Sequence, residues 1–187
     1  LFCIGTELFN FTEERPEFWQ KMIAEVRKVY SGKITYAENW DKVDRFELWD
    51  ELDFIGVDAY FPVSEAKNPT EDELIAGWKS HKKMLQQLSS TYKKQILFTE
   101  YGYRNVDFAT KEPWQASTRR RGDKVPENLN EELQAKALQV IYDEFWQENW
   151  FAGGFLWKWH HDHERAGGKQ NDRFTPQNKL AEETVKV

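Results

Sequence analysis

A short apolar run, a polar turn and a helical pattern follow one another repeatedly along this chain, and that order limits its fold more than any other feature. Strands joined through helices lie parallel, because a helix returns the chain to the edge from which it started. The apolar runs predict five strands, at Leu1 to Gly5, Lys33 to Ala37, Phe54 to Ala59, Gln95 to Thr99 and Gly153 to Trp159. Start signals mark the helices between them. Pro16 stands at the first turn before FWQKMIAEVRKVY, Thr70 and Glu73 make a capping box before LIAGWKSHKKML, and Asn130 precedes EELQAKALQVIYDEFW. A shorter helical piece is expected at Asp44 to Leu52, and a last helix in the tail Thr175 to Val187.

The chain has 187 residues, 40% of them apolar, which suffices for one core and one domain over residues 1–187. No repeat, low-complexity tract or linker divides it. The connection Arg104 to Asn128 is long and polar, with Pro113 and Pro126 and the run Arg119-Arg120-Arg121, read as a solvated loop rather than a phosphate site. A net charge of -6 with mixed signs gives no basic stripe, so nucleic acid is not an expected partner. No apolar run nears the roughly 18 residues that span a membrane. There is no signal peptide, but the chain starts at Leu1 without a methionine, so its natural N-terminus is expected to lie elsewhere. The compartment stays open, an extracytoplasmic or secreted one being favoured. The single cysteine, Cys3, sits in the apolar run LFCI and is expected to be a small buried residue.

In a parallel α/β fold, reactions run at the C-terminal ends of the strands. The strand ends here read Gly5-Thr6-Glu7, Ala37-Glu38-Asn39-Trp40, Asp58-Ala59-Tyr60-Phe61-Pro62, Thr99-Glu100-Tyr101-Gly102-Tyr103 and Trp157-Lys158-Trp159-His160. A buried unpaired charge costs several kcal/mol, so glutamates at two strand ends suggest a shared site, although structural ion pairs also use such positions. Glycoside hydrolysis needs such a pair, one carboxyl to protonate the leaving oxygen and one to attack the sugar carbon or activate water. Glu7 and Glu100 fit by position. Nine tryptophans, seven tyrosines and thirteen phenylalanines fill the core in the main, but exceed its need and can offer flat faces to sugars.

The series FCIGTE, ITYAENW, LWDELDFIGVDAYFP, ILFTEYGYR and GGFLWKW, closing with FTPQNKLAEE, resembles the C-terminal part of a clan A glycoside hydrolase, most closely the β-mannanases of family 113. The resemblance spans nearly the whole chain in order. It implies a (β/α)8 TIM barrel of which only strands four to eight are present, the missing N-terminal strands being expected in the full protein. It also implies that Glu7, after barrel strand four, is the acid/base and Glu100, after strand seven, the nucleophile. Configuration would be retained through a covalent glycosyl-enzyme, which requires carboxyls roughly 5 to 5.5 Å apart. By analogy Tyr60 orients the nucleophile and Trp157 forms the floor under the sugar. Trp159, on the same side by strand alternation, lines the next subsite. Asn39, Trp40, Tyr103 and Arg104 are candidates for sugar contacts, and Gly102 lets the chain turn away after Glu100. The chain departs from the clan at Thr6, where an asparagine commonly holds the sugar's 2-hydroxyl.

No cofactor is implied. The cluster His160-His161-Asp162-His163-Glu164 lacks the spacing of a helical zinc site and reads as a polar loop by the cleft, so no metal is expected. No phosphate loop, serine elbow or reactive-cysteine motif is present. The expected partner is an oligo- or polysaccharide. Three other readings stand beside a mannan hydrolase: action on another β-linked glycan, a carbohydrate-binding protein without catalysis, and an inactive fragment of a barrel. A full barrel needs about 250 residues, so an isolated half would leave its first strand as an apolar edge.

Overall fold

A computed structural model describes residues 1–120 and 122–186, so Arg121 of the arginine run and Val187 of the expected last helix lie outside the described residues. Five strands, β1 (Phe2–Thr6), β2 (Ile34–Asn39), β3 (Phe54–Asp58), β4 (Gln95–Tyr101) and β5 (Phe151–Leu156), form one parallel sheet in sequential order. That is the order of consecutive strands in a β/α barrel, as the sequence led us to expect. The edge strand β1 pairs with β2 and leaves Leu1 and Phe2 about half exposed.

The helices cover one face of the sheet. They are α1 (Phe9–Glu14), α2 (Pro16–Val29), α3 (Glu71–Tyr92), α4 (Glu131–Phe145) and α5 (Ala181–Val185). The capping box of α3 is formed: the Thr70 hydroxyl accepts from the Glu73 amide, and the Glu73 carboxylate accepts from the Thr70 amide at 2.7 Å. At α4 the Asn130 side chain accepts from Leu133 N at 2.9 Å. Alternation along the strands then divides inside from outside. Ile34, Tyr36, Ile55, Val57, Ile96 and Phe98 point toward the helices and meet Trp19, Trp78 and Phe145 in a single buried cluster. Thr35, Ala37, Asp58 and Thr99 line a cavity of about 260 Å³ on the opposite face.

Three expectations change. Asp44 to Leu52 is not a helix but a series of turns ending in a single 3₁₀ turn at Trp49–Glu51. Its buried residues Val43, Phe46, Trp49 and Leu52 recur every third position, which suits three-residue turns rather than the 3.6-residue α-helix. Cys3 is exposed, because it points to the open inner face and borders that cavity. The tail is helical only over Ala181–Val185; the segment before it is pinned by hydrogen bonds. The buried Lys179 ammonium donates to Asn105 Oδ1 at 2.8 Å and to Arg173 O at 2.6 Å, and burial lowers its pKa to about 7.

Candidate active site

Two irregularities in the sheet aim the strand-end carboxylates. Between β3 and β4 the register runs Val57 opposite Phe98 and then Asp58 opposite Glu100, so Thr99 is an extra residue on β4. Strict alternation would put Thr99 and Glu100 on opposite faces. The bulge re-aims the second, and Thr99, Glu100 and Asp58 border the same cavity. β1 slips similarly between Cys3 and Thr6. Glu7 follows that slip with φ at 51°, a left-handed conformation that costs a non-glycine residue on the order of 1–3 kcal/mol. Its amide donates to Ala37 O at 2.9 Å, and the next amide, Leu8 N, donates to the Tyr36 hydroxyl at 2.7 Å. The strained residue is thus held from β2.

Around this mouth four carboxyl groups gather, those of Glu7, Glu38, Asp58 and Glu100. Glu7 opens onto a cleft of about 490 Å³ lined also by Phe9, Phe11, Glu38, Asn39 and Lys42. Partial loss of water in that groove, then the charge of Glu100, then that of Asp41, raise the Glu7 pKa above the usual carboxylate value. Glu7 therefore senses the charge of Glu100. Glu100 receives a hydrogen bond of 2.8 Å from the Tyr60 hydroxyl to its Oε2. Burial and then the Glu100 charge push the Tyr60 phenol far up, so it remains a donor at any working pH.

Two further acids are fully buried here, and reading the strand ends for paired glutamates passed over both. Glu38 Oε1 accepts from the Asn39 amide at 2.8 Å, while its Oε2 has no partner among the described residues. Burial is the main cause of its raised pKa, with Glu7 and Asp41 adding to it. Asp58 Oδ1 accepts from the Thr99 hydroxyl at 2.7 Å, and its Oδ2 is likewise unpartnered among the described residues. Their signal in the sequence was their place at strand ends, VDAYFP and YAENW.

The remaining sequence candidates divide. Asn39 borders the cleft, its Oδ1 accepting from Trp40 N at 2.9 Å. Trp40 is half-buried and lies almost parallel to Trp114, with ring centroids 5.6 Å apart. Trp114, on the long loop, was missed because nothing local in EPWQ distinguishes it from any exposed loop tryptophan. Trp157 and Trp159 are both substantially exposed. However, β5 ends at Leu156 and Trp157–Lys158 form a turn, so Trp159 is placed by that turn and not by strand alternation. Gly102 is needed for a different reason from the one expected: a Cβ there would collide with the Trp157 carbonyl oxygen.

Tyr103 is not a surface contact. It is 1% exposed and belongs to the core beneath the helices, where no sugar reaches it. Arg104 is engaged with its own loops: its Nε donates to Asp172 O and its Nη2 to Asp172 Oδ2, each at 2.8 Å. Arg119 Nη1 donates to Gln170 O at 2.6 Å, and Ser117 Oγ to Asp172 Oδ2 at 2.6 Å. So the long loop is fastened to residues 170–173, and Arg119 is a clasp rather than a solvated charge. In the histidine cluster, His163 Nε2 pairs with Glu182 Oε1 at 2.7 Å across to α5. No group of three metal-ligating side chains is found among the described residues. No helix among them is long and apolar enough to cross a membrane.

The family model for Glycoside Hydrolase Family 113 matches residues 1–179 of this chain. No curated protein matches it. Among solved structures, a complex of a GH113 β-1,4-mannanase is 26% identical over 99% of this chain and 54% of its own, with a TM-score of 0.79. The GH113 β-mannanase from Alicyclobacillus acidocaldarius in complex with ManMIm is 25% identical over 98% of this chain and 53% of its own, with a TM-score of 0.75. A Faecalibacterium prausnitzii β-glucuronidase, 15% identical over 97% of this chain and 30% of its own at a TM-score of 0.60, shares the fold. The chain thus spans about half the length of the mannanase structures it matches.

Proposed function

From the premise that the chain belongs to glycoside hydrolase family 113, we propose that it is the C-terminal part of the catalytic barrel of a retaining hydrolase of β-1,4-linked mannan. Its five strands supply barrel strands four to eight. The observation that carries this reading is the pairing at the strand ends: Glu7 and Glu100 leave non-adjacent strands, and the charge of Glu100 raises the pKa of Glu7. One acid kept protonated beside one carboxylate is what double displacement requires.

In the first step the Glu100 carboxylate attacks the anomeric carbon, while Glu7 gives its proton to the departing glycosidic oxygen. The bond to that oxygen breaks, and the sugar is left esterified to Glu100. Glu7, now a carboxylate, then takes a proton from water, whose oxygen attacks the same carbon from the face the leaving group vacated. Glu100 departs and both side chains return to their starting states. Tyr60 holds the attacking carboxylate through Oε2, which leaves Oε1 to form the bond. A donor to the carboxylate lowers its charge density in the free enzyme, and the same donor favours its departure from the ester. Trp157 supplies the face under the sugar at the cleavage point. Asn39, the Trp40–Trp114 stack and Trp159 border the flanking subsites, with face stacking on each hexose.

Release of reducing ends from β-1,4-mannan by the full-length protein tests the reading, with cellulose and an aryl β-glucuronide as comparison substrates. Mannan is expected to be the preferred substrate by at least about tenfold in kcat/KM, a difference of about 1.4 kcal/mol in barrier height. Turnover of another β-glycan alone would reassign the substrate. Binding to mannan with no release of reducing ends would make the protein a carbohydrate-binding one.

A further inference from the structure

Beneath the two glutamates lies a third carboxyl that the two-residue mechanism does not use. Asp58 ends β3 opposite Glu100 and is 1% exposed. Its Oδ1 accepts from the hydroxyl of Thr99, the bulged residue next to Glu100, at 2.7 Å. The backbone ties the same two strand ends together, Ala59 N donating to Glu100 O at 2.7 Å, and Tyr60 N to Asp58 O at 3.0 Å. Oδ2 is buried without a partner among the described residues, beside a cavity of about 260 Å³ that Glu100 also borders.

We propose that Asp58 is a positioning residue, a carboxyl that stays neutral in the working enzyme and, through its bond to Thr99, fixes the bulge from which Glu100 is aimed. A buried carboxylate oxygen without a donor is costly, and a neutral carboxylic acid in that place is less so. The groups that face Asp58 are all acids or neutral donors: Glu100 and Thr99 from β4, Glu38 from β2, Glu7 after β1, and Tyr60 after its own strand. Burial is the largest cause that raises its pKa, to about 7; the Thr99 bond opposes this, and the charges of Glu100, Glu7 and Glu38 add to it. Loss of the Asp58 proton would set a further negative charge beneath Glu100, in a place where the facing groups offer no cation to offset it.

This inference rests on the two-glutamate reading for its kinetics alone; its protonation is tested without any substrate. The carboxyl carbon resonance of Asp58, assigned by difference from Asp58→Asn, is followed from pH 3 to 9 in the full-length protein. A midpoint near 7 is expected, and one near 4 overturns the proposal. Stability gives a second readout. An unfolded aspartate ionises near pH 4, so between about pH 4 and 7 the unfolded chain releases a proton that the native one retains. The native advantage therefore falls as pH rises through that window and levels off above it. Asp58→Asn lacks this loss, so its denaturation midpoint gains on that of the parent protein across the same window. Parallel midpoints at all pH values overturn the proposal.

For positioning, the split between kcat and KM decides. Asp58→Ala leaves Thr99 without its acceptor, and kcat is expected to fall about 10- to 100-fold with KM changed less than about threefold, since a small misplacement of a reacting group costs about that much. Asp58→Asn keeps a neutral side chain of the same shape and is expected to restore most of that loss. Asparagine as damaging as alanine, or alanine as active as the parent, overturns the positioning role.

Discussion

Replacing Glu100 with Gln will lower kcat on mannan by about ten-thousand-fold or more and leave binding of mannooligosaccharides within a few-fold. The side chain keeps its size, and an amide oxygen can still accept the Tyr60 hydroxyl bond seen at 2.8 Å. On the two-glutamate reading, what is lost is the carboxylate that forms the ester. A shortened variant, Glu100→Ala, separates loss of the nucleophile from loss of the fold. Small azide ions enter the vacated space and attack from the same face, so the product formed with azide will have inverted configuration. Isothermal calorimetry on Glu100→Gln and product analysis on Glu100→Ala check the two halves. A variant that kept more than about one part in a hundred of the parent kcat would remove Glu100 from the role of nucleophile.

Replacing Glu7 with Gln has the second-largest effect, and its size will depend on the leaving group. On mannan, whose leaving sugar alkoxide needs a proton, kcat/KM will fall by about a hundred- to ten-thousand-fold. On an aryl mannoside with an acidic phenol the first step needs little protonation, and the loss in that step will be far smaller. The parent enzyme also carries a pH signature that the variant lacks. As the proposed acid, Glu7 must hold its proton in the first step, and loss of water around it and the Glu100 charge raise its pKa. Activity therefore declines as pH climbs through that raised value, and the alkaline limb disappears in Glu7→Gln. Equal losses on both substrates, with the limb unchanged, would assign proton transfer elsewhere. Glutamine is preferred to alanine here because it keeps the size of the side chain; the amide that holds the left-handed backbone at Glu7 from β2 is kept by either residue.

What the chain revealed before folding, and what it concealed, divides by range. Local chemistry was legible: Thr70 with Glu73, Asn130 and Pro16 mark helix starts that need nothing beyond one turn of chain. So were the strands, since apolar runs of β-forming residues separated by amphipathic helices leave parallel pairing as the only compact solution. The helix Phe9–Glu14 was not foreseen, having no side-chain cap at Leu8 and no acidic residue in its first turn. Asp44 to Leu52 was read as a helix, whereas the buried residues there recur every third position, as turns of three residues require.

The site shows the same division. Glu7, Glu100 and Tyr60 could be placed at strand ends from order alone. The bulge at Thr99 could not, because it exists only in the register of β4 against β3, a pairing of residues about forty positions apart. Tyr103 was misplaced because its position just after a strand end was taken to face the cleft, whereas the chain there turns its ring into the core. Asp58 and Glu38 were visible as letters, but their protonation depends on burial supplied by three neighbouring strands. Arg104 met its partner Asp172 across 68 positions, which no local reading connects.

The most direct test of the two-glutamate account is the anomeric configuration of the first product, followed by proton NMR during hydrolysis of mannooligosaccharides by the full-length protein. Double displacement through Glu100 predicts that the β-anomer appears first and then mutarotates to the equilibrium mixture. The α-anomer as first product would mean direct attack by water, with carboxyls set roughly 6.5–9.5 Å apart, and would contradict the assignment of Glu100 as nucleophile.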